Sequence, residues 1–342
     1  SPLPPFRRLL KSAFVFLFQE LCILSCFQKP AKCCLIYSIN SISGARRVLM
    51  AFVAWARRIF WARVRQGSSD TQLWTIQREG EPGAVLGTLV VYVDDFLLST
   101  TLGPIRDGLL TALRGVWTLA KEKELNAESP ITFLGIDMSI TPQGDLHLSQ
   151  QNFSNNLLLK YGMEKANPLR AITMTALPNE PDPPTPKVLK ELQAYSGAFN
   201  WLATRTRPDL AYYVSILASA CTRHSALCLE LAKKILRYLA GTRSLGLVIT
   251  RSGGTHDLRV FTDAGFAGTD TRAQTGMVVV WGGSILSWRS SRQTVSALNT
   301  AEAELCAAAL GWQVTEGLKA LLTDLGVLLS TCLLYTSDAA DE

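Results

Sequence analysis

The chain has 342 residues, of which 48% are hydrophobic, and its formal net charge is +6. This composition is too apolar for an intrinsically disordered protein, and the length is enough for two domains with sizeable cores. Residues 1–65 hold eleven of the Lys and Arg residues but one acid, Glu20. We therefore expect residues 1–69 to form a divergent or frameshifted N-terminal segment that differs from the rest.

An apolar stretch at residues 13–27 follows three basic residues and has the outline of a signal peptide or short membrane segment. Gln19 and Glu20 lie in its middle, where polar groups are costly in lipid, and its length falls short of the ~20 residues that span a bilayer. The hypothesis of a membrane or secreted protein therefore rests on this stretch alone. We expect no membrane partner.

Strand and helix patterns begin near residue 70. The apolar run 86–98 is interrupted by Asp94 and Asp95, which predicts two short strands around a polar turn. Further elements are predicted as a helix at 104–120, a hairpin of strands 131–140 and 146–148, and a helix at 152–161.

Residues 178–186 contain five of the fifteen prolines, so neither a helix nor a strand ladder can run through them, and we interpret them as a linker. Three helices are predicted beyond it, at 187–204, 209–221 and 226–239. The pattern then changes to strands at 246–250, 257–263, 276–281 and 284–288, followed by a helix of about 25 residues from Thr300.

Two sets of acidic residues could carry chemistry. Asp94 and Asp95 project from one tight turn between apolar strands, where adjacent carboxylates need a cation, and a pair of magnesium ions fits this requirement. Asp263 ends a predicted strand, and Glu304 lies in the first turns of the long helix. Glu302 competes with Glu304, but residues two apart differ by ~200° around a helix, so one of them alone can face a site.

The remaining features of the helices are an apolar stripe and a basic cluster. The stripe on the long helix is predicted to pack against the sheet, and it comprises Leu305, Ala308, Ala309 and Trp312. The basic cluster on the third connecting helix could contact phosphates or be a solvated helix face, and it comprises Lys233, Lys234 and Arg237.

Several short motifs occur in an order that resembles the Pol polyprotein of copia-type (Pseudoviridae) retrotransposons. Tyr-Val-Asp-Asp at 92–95 is followed by Phe-Leu-Gly-Ile at 133–136 and Leu-His-Leu-Ser-Gln at 146–150. Tyr-Ser-Gly at 195–197, Thr-Arg-Pro-Asp at 206–209 and Ile-Leu-Arg-Tyr-Leu-Ala-Gly-Thr at 235–242 then resemble signatures of its connection region. Phe-Thr-Asp-Ala at 261–264 and Ala-Glu-Leu-Cys-Ala-Ala at 303–308 resemble an RNase H domain.

The resemblance implies an α/β (α+β) fold in three parts. These are a partial reverse-transcriptase palm at 70–177 and, after the linker at 178–186, a helical connection at 187–245 and a partial RNase H-like mixed sheet with a helix at 246–327. It assigns the helical metal ligand to Glu304, while Glu302 lies three residues after Asn299 and is interpreted as a capping residue.

The resemblance also implies the chemistry and partners. Asp94 and Asp95 would bind Mg²⁺ and align a DNA primer on an RNA template, and Asp263 and Glu304 would bind Mg²⁺ and cut the RNA of an RNA–DNA hybrid. The expected location is the cytoplasm, within the virus-like particle of the intact family, or the nucleus.

The sequence departs from the family pattern in two places. No Asp precedes Asp70, whereas the family polymerases use a further Asp on an upstream strand. Residues 328–342 stand where the family has a strand with a third catalytic Asp, and they resemble translated sequencing adaptor, so we interpret them as an artefactual tail. We therefore expect a catalytically incomplete polymerase and ribonuclease H. The alternative is a non-catalytic nucleic-acid-binding remnant.

Overall fold

The structure is a computed structural model. It describes residues 33–38, 62–70, 72–78, 80–81, 85–92, 95–100, 103–115, 120–174, 180–250, 257–266, 272–327, 329 and 332–336. The predicted apolar stretch at 13–27 lies outside these residues. Three sheets and six helices are found in the described part of the chain, which confirms the predicted mixed α/β class.

The first sheet is antiparallel and has the strand order β2-β3-β4-β5-β1-β6. Its strands are β1 (Cys33–Ser38), β2 (Ala62–Gln66), β3 (Leu73–Arg78), β4 (Val85–Tyr92), β5 (Asp95–Thr100) and β6 (Lys123–Leu125). The two strands predicted around Asp94 and Asp95 are therefore confirmed as β4 and β5. Helix α1 (Gly103–Arg114) follows and is shorter than the predicted 104–120.

The second sheet has the order β10-β9-β8-β7, and its strands are β7 (Ile131–Phe133), β8 (Ile136–Ile140), β9 (Leu146–Ser149) and β10 (Leu247–Ile249). The prediction of one strand over 131–140 was wrong. Leu134 and Gly135 have φ angles of 50° and 79°, which is the left-handed region of a two-residue hairpin turn, so the segment folds back on itself. The sequence placed 246–250 with the strands that follow it, but β10 pairs with β9 instead.

A helical block separates the second and third sheets. It contains α2 (Gln151–Lys160), α3 (Pro186–Ala203), α4 (Ala211–Ala220) and α5 (Ser225–Gly241), with a 3₁₀ turn at Pro208–Leu210. The three predicted connecting helices are thus confirmed as α3, α4 and α5, to within two residues at their ends. Their apolar faces form one shared core around residues such as Phe199, Leu217 and Leu236.

A buried ion pair connects the ends of these helices. The Arg207 guanidinium, whose side chain is 1% exposed, donates to the Asp209 carboxylate from Nη2 at 2.7 Å. It also donates to the Thr242 backbone carbonyl and hydroxyl, each at 2.9 Å. Because Thr242 follows α5 and Arg207 follows α3, this network fixes how the two helices end relative to one another.

The third sheet has the order β13-β12-β11-β14. Its strands are β11 (Leu258–Gly265), β12 (Gln274–Trp281), β13 (Ser284–Arg292) and β14 (Cys332–Thr336), and the long helix α6 (Thr300–Asp324) packs on one face. Strand β14 is parallel to β11. It belongs to the segment predicted to be an artefactual tail. That origin stays a prediction, but the backbone of 332–336 takes part in the sheet.

The apolar stripe predicted to pack on this sheet does not do so. Leu305 and Trp312 are 69% and 50% exposed, and Ala309 is exposed as well. The buried face of α6 is formed by smaller residues in its first half and by leucines near its end, namely Ala303, Ala307, Gly311, Thr315, Leu318, Leu321 and Leu322. The prediction was wrong because it favoured large apolar side chains, whereas close contact between helix and strand requires small ones.

One hydrophobic core runs through the second and third sheets and reaches the first. It includes Leu73 and Leu97 of the first sheet, Leu148 of the second, Val279 of the third and Leu322 of α6. The end of α6 also reaches the first sheet through Asp324, which accepts hydrogen bonds from Ser68 Oγ at 2.9 Å and the Ser69 N–H at 2.8 Å. The described parts of the chain therefore form one contiguous body.

The described end of the proline-rich segment is attached to α5. The Asp182 carboxylate accepts hydrogen bonds from the Ala226 N–H at 2.8 Å and from Ser225 Oγ at 2.9 Å, at the N-terminus of that helix. The Asp182 N–H donates to the Arg223 carbonyl.

Among the described residues, no helix is long and apolar enough to cross a membrane.

We predict that stability at low pH depends on Asp182. The hydrogen bonds from Ala226 and then Ser225 lower the pKa of the Asp182 carboxyl, so its stabilising effect is present above the unfolded-state pKa and lost as pH falls through the folded-state pKa. Asp182→Asn should lower the melting temperature near pH 7, and its effect should diminish as pH falls below the ordinary carboxyl pKa of 3.8 and through the lowered folded-state pKa. Glu180→Gln in the same segment is the control, and an equal effect of both substitutions would contradict the prediction.

We predict that the Arg207 network is needed for the helical block. Arg207→Met keeps the volume of the side chain but removes its hydrogen bonds to the Asp209 carboxylate and the Thr242 carbonyl. The free energy of unfolding in urea should fall by about 3 kcal/mol, the lower end for breaking a buried pair, because Asp209 is 28% exposed. Arg223 is exposed, so Arg223→Met is the matched control and should change the free energy of unfolding by less than about 0.5 kcal/mol.

Candidate functional site

The first predicted pair of metal ligands lies at the turn between β4 and β5. Asp95 begins β5, is half-buried and pairs with Tyr92 across the turn. Residues 96–98 are at most 1% exposed, so β5 is held rigidly between β4 and β1. Asp94 lies outside the described residues, and the convergence of the two carboxylates stays a prediction.

Asp263 lies on β11, between β12 and β14. Side chains alternate along this strand, so Thr262 and Ala264 are buried under α6, and Asp263 is exposed on the opposite face. Gly276 is its partner on β12. Because glycine has no side chain, the neighbouring strand leaves the space beside the Asp263 carboxylate open.

Glu304 reaches the same part of β11 from the helix. Its Oε1 accepts a hydrogen bond from the backbone N–H of Ala264, the residue after Asp263, at 3.1 Å. Its Oε2 is buried and has no hydrogen-bond partner among the described residues. The structure therefore brings Glu304 to the segment of β11 that carries Asp263.

The start of α6 determines which glutamate takes this position. Asn299 is the N-cap, and its Oδ1 accepts from the Glu302 N–H at 2.9 Å. Glu302 Oε2 accepts in turn from the Leu298 N–H at 2.6 Å. The interpretation of Glu302 as a capping residue is thus confirmed, and Glu304, ~200° further around the helix, is left to face β11.

Small residues let the helix approach the strand. A cluster of buried alanines surrounds this end of the sheet, consisting of Ala264, Ala273, Ala297, Ala303 and Ala307. One turn further along, a Cβ added to Gly311 would lie 2.5 Å from Thr262 Cγ2 and 3.1 Å from Val260 Cγ1. The spacing of four between Ala303, Ala307 and Gly311 is visible in the sequence and could have identified this packing face.

The environment of Glu304 fits part of a divalent-cation site. A buried carboxylate oxygen without a donor is costly, and a bound hard cation such as Mg²⁺ would satisfy Glu304 Oε2. However, the described residues include no group of three or more His, Cys, Asp or Glu side chains that could hold a metal ion. Asp263 extends from the opposite face of β11, so a metal ion shared by the two carboxylates stays a prediction.

The predicted phosphate-binding cluster on α5 is largely used within the protein. Lys234 Nζ donates to the Thr173 carbonyl at 3.0 Å and pairs with Glu230 at 2.7 Å. Arg237 Nε donates to the Asn167 carbonyl at 2.9 Å. Both side chains hold the segment after α2 against α5, and Lys233 is exposed. The structure thus assigns two of the three residues a role in folding.

Comparison of the sequence with known proteins finds transposon polyproteins. The retrovirus-related Pol polyproteins from transposons RE2 and RE1 of Arabidopsis thaliana are 32% and 31% identical to it over 271 and 274 residues. Each of these alignments covers 77% of this chain. The retrovirus-related Pol polyprotein from transposon TNT 1-94 of Nicotiana tabacum is 28% identical over 70% of this chain. The chain spans 17% to 18% of the length of these polyproteins.

A shorter relative covers a similar region. An uncharacterized mitochondrial protein of Arabidopsis thaliana is 31% identical over 231 residues, which are 65% of this chain and 90% of that protein. No protein-family model matches the chain. Among solved structures, a foamy viral protease-reverse transcriptase in complex with RNA/DNA hybrid aligns with a TM-score of 0.43 and 16% identity, covering 92% of this chain and 40% of that chain.

We predict that the close contact at Gly311 is essential for the position of α6. Gly311→Ala forces a Cβ into Thr262 and should lower the free energy of unfolding by about 1–3 kcal/mol through overpacking. Gly197→Ala is the matched control, because this helical glycine has nothing within 4 Å of an added Cβ. That substitution should stabilise the protein by about 0.5–1 kcal/mol. If both variants changed the free energy of unfolding in urea in the same direction, this account of the packing would be contradicted.

Proposed function

The chain belongs to the retrovirus-related Pol polyproteins of copia-type transposons and matches their reverse-transcriptase and RNase H region, and from this premise we propose a role for its paired carboxylates. Asp263 and Glu304 are two metal ligands of an RNase H site that acts on the RNA strand of an RNA–DNA hybrid. Asp94 and Asp95 are the corresponding ligands of an RNA-directed DNA polymerase, which binds an RNA template and a DNA primer.

The observation that supports the ribonuclease assignment is the environment of Glu304. One carboxylate oxygen is anchored by the Ala264 N–H, and the other is buried without a donor beside the strand that carries Asp263. A solvated surface glutamate would not leave a carboxylate oxygen in this state, because water would satisfy it. A buried carboxylate oxygen without a donor is costly, and a hard cation such as Mg²⁺ is a partner that would satisfy it.

The two carboxylates have different tasks in this proposal. Magnesium, when bound, supplies Lewis-acid activation of water and stabilises the leaving oxygen. Glu304 is oriented by its backbone hydrogen bond, so it keeps a fixed position as a ligand. Asp263 lies on the exposed face of β11, where a nucleic-acid strand has access.

We further propose that this chain is catalytically incomplete. An enzyme that uses two metal ions must clamp both the attacking and the leaving oxygen, and the described residues include no group of three or more His, Cys, Asp or Glu side chains that could hold a metal ion. The alternative function, a non-catalytic nucleic-acid-binding remnant, is favoured by exposed arginines next to Asp263 that are described below. The location proposed for either function is the cytoplasm, inside a virus-like particle, or the nucleus.

The proposal predicts weak magnesium binding that depends on Glu304. Isothermal titration of the full chain with Mg²⁺ should show a site whose affinity falls by about tenfold or more in Glu304→Gln and in Asp263→Asn. Glu316→Gln is the matched control, because Glu316 lies on the same helix and pairs with Lys319 at the surface. Loss of magnesium binding in the control, or none in the two site variants, would refute the assignment.

A cleavage assay separates the complete from the incomplete site. We expect the wild-type chain with Mg²⁺ to leave the RNA strand of a labelled RNA–DNA hybrid intact. RNA cleavage that is abolished by Asp263→Asn would show that the ribonuclease site is complete. Primer extension on an RNA template that is abolished by Asp95→Asn would do the same for the polymerase.

A further inference from the structure

A groove of about 680 Å³ lies between α4 and the face of the third sheet that carries Asp263. We call it the α4 groove and define it by six of its lining residues, which are Tyr212, Phe266, Arg272, Trp288, Arg289 and Arg292. Its volume falls within the range of roughly 300–1,000 Å³ that is typical of ligand sites. It lies on the opposite face of the sheet from α6, so it is distinct from the packing that positions Glu304.

The charge of the α4 groove is strongly positive. Arg272, Arg289 and Arg292 are all exposed, and none of them forms an ion pair with an acid of the described residues. Asp263 is the acid that lines the groove, so three guanidinium groups face one carboxylate. The charged residues that line the groove therefore carry a net positive charge. A polyanion would neutralise them and release its own counterions.

Aromatic rings lie among these arginines. Tyr212 is 44% exposed on α4, and its ring packs edge-on against Tyr213 at 5.5 Å between centroids, which limits its motion. Trp288 is fixed from the other side because its Nε1 donates to the Ala203 carbonyl at 2.6 Å. The groove therefore offers aromatic ring surface on which a planar ligand group can stack.

We propose that the α4 groove binds single-stranded nucleic acid. The combination of a basic groove with fixed aromatic rings is how proteins hold single strands, since the cations follow the phosphates and the bases stack on the rings. Bases of a duplex are already stacked on one another and have no free face for Tyr212, so a paired hybrid cannot use the rings. This inference rests on the proposed nucleic-acid function and adds an unpaired strand as a ligand of the face of the third sheet that carries Asp263.

Hydrogen bonds of one side chain connect the two walls of the α4 groove. Gln274 Nε2 on β12 donates to Ser215 Oγ of α4 at 3.0 Å and to Ser290 Oγ of β13 at 2.9 Å. The helix wall is thus connected to the sheet wall by a side chain at the floor of the groove. A binding site with walls fixed in this way needs little ordering when the ligand arrives.

The test measures binding of a fluorescent oligothymidine of roughly ten nucleotides to the full chain by anisotropy. The triple substitution Arg272→Gln, Arg289→Gln and Arg292→Gln should lower the affinity at least tenfold. It should also reduce the slope of log K against log salt by about 2, since each single-strand phosphate contact contributes about 0.7. The control triple Lys165→Gln, Lys187→Gln and Lys190→Gln removes the same charge from exposed lysines outside the groove.

Tyr212 provides the second arm of the test. Tyr212→Ala should weaken binding of the oligothymidine by about tenfold, the effect of losing one stacked base, whereas Tyr212→Phe keeps the ring and should bind like wild type. These substitutions are at an exposed position, and melting temperatures would verify that each variant is folded. The site is supported if the arginine triple and Tyr212→Ala both lose affinity while the lysine triple and Tyr212→Phe do not.

Three outcomes would overturn the inference. They are equal losses in the arginine and lysine triples, equal losses in Tyr212→Ala and Tyr212→Phe, or wild-type binding to a blunt RNA–DNA hybrid with none to the single strand. The last outcome would leave the proposed ribonuclease ancestry intact. Conversely, the chain could bind the single strand while its magnesium titration is unaffected by Glu304→Gln. That result would refute the metal-site assignment and support single-strand binding in the α4 groove.

Discussion

The close contact between α6 and β11 is the constraint on which the candidate site depends. Gly311 permits this contact, because any larger residue there would collide with Thr262. The alanines that precede it continue the same close packing toward the start of the helix. As a result Glu304 comes within hydrogen-bonding distance of the β11 backbone, next to Asp263. If the helix stood further away, Glu304 would lose this hydrogen bond to β11.

The helical block has a second role, since it connects the second sheet to the third, which bears Asp263. Arg207 fixes the ends of α3 and α5 through Asp209 and Thr242, and α5 is followed by β10, which extends the second sheet. On the other side, Trp288 and Gln274 attach the third sheet to α3 and α4. The wall of the α4 groove is therefore formed by the same helices that hold the fold together.

The physical reasons for several sequence motifs are visible in these contacts. In Thr-Arg-Pro-Asp at 206–209, the arginine and the aspartate form the buried pair, and the last residue of 235–242, Thr242, receives the arginine. In Phe-Leu-Gly-Ile at 133–136, the two central residues adopt positive φ angles. Gly135 has no side chain, which makes room for Trp201; a Cβ added to Gly135 would lie 3.3 Å from the Trp201 ring. The motifs that identified the family thus serve turns and buried polar contacts.

The sequence by itself determined the α/β class, the helices of the connecting block and the family, because hydrophobic period, proline and glycine positions and short motifs are local properties of the chain. It also distinguished Glu302 from Glu304, since capping depends on residues within one turn. The tertiary structure alone decided that β10 joins the second sheet, that Lys234 and Arg237 have internal partners, and that three arginines line one groove with Tyr212. These features depend on which distant segments meet, and contact between segments far apart in the chain is set by packing of the whole core, which no local pattern specifies.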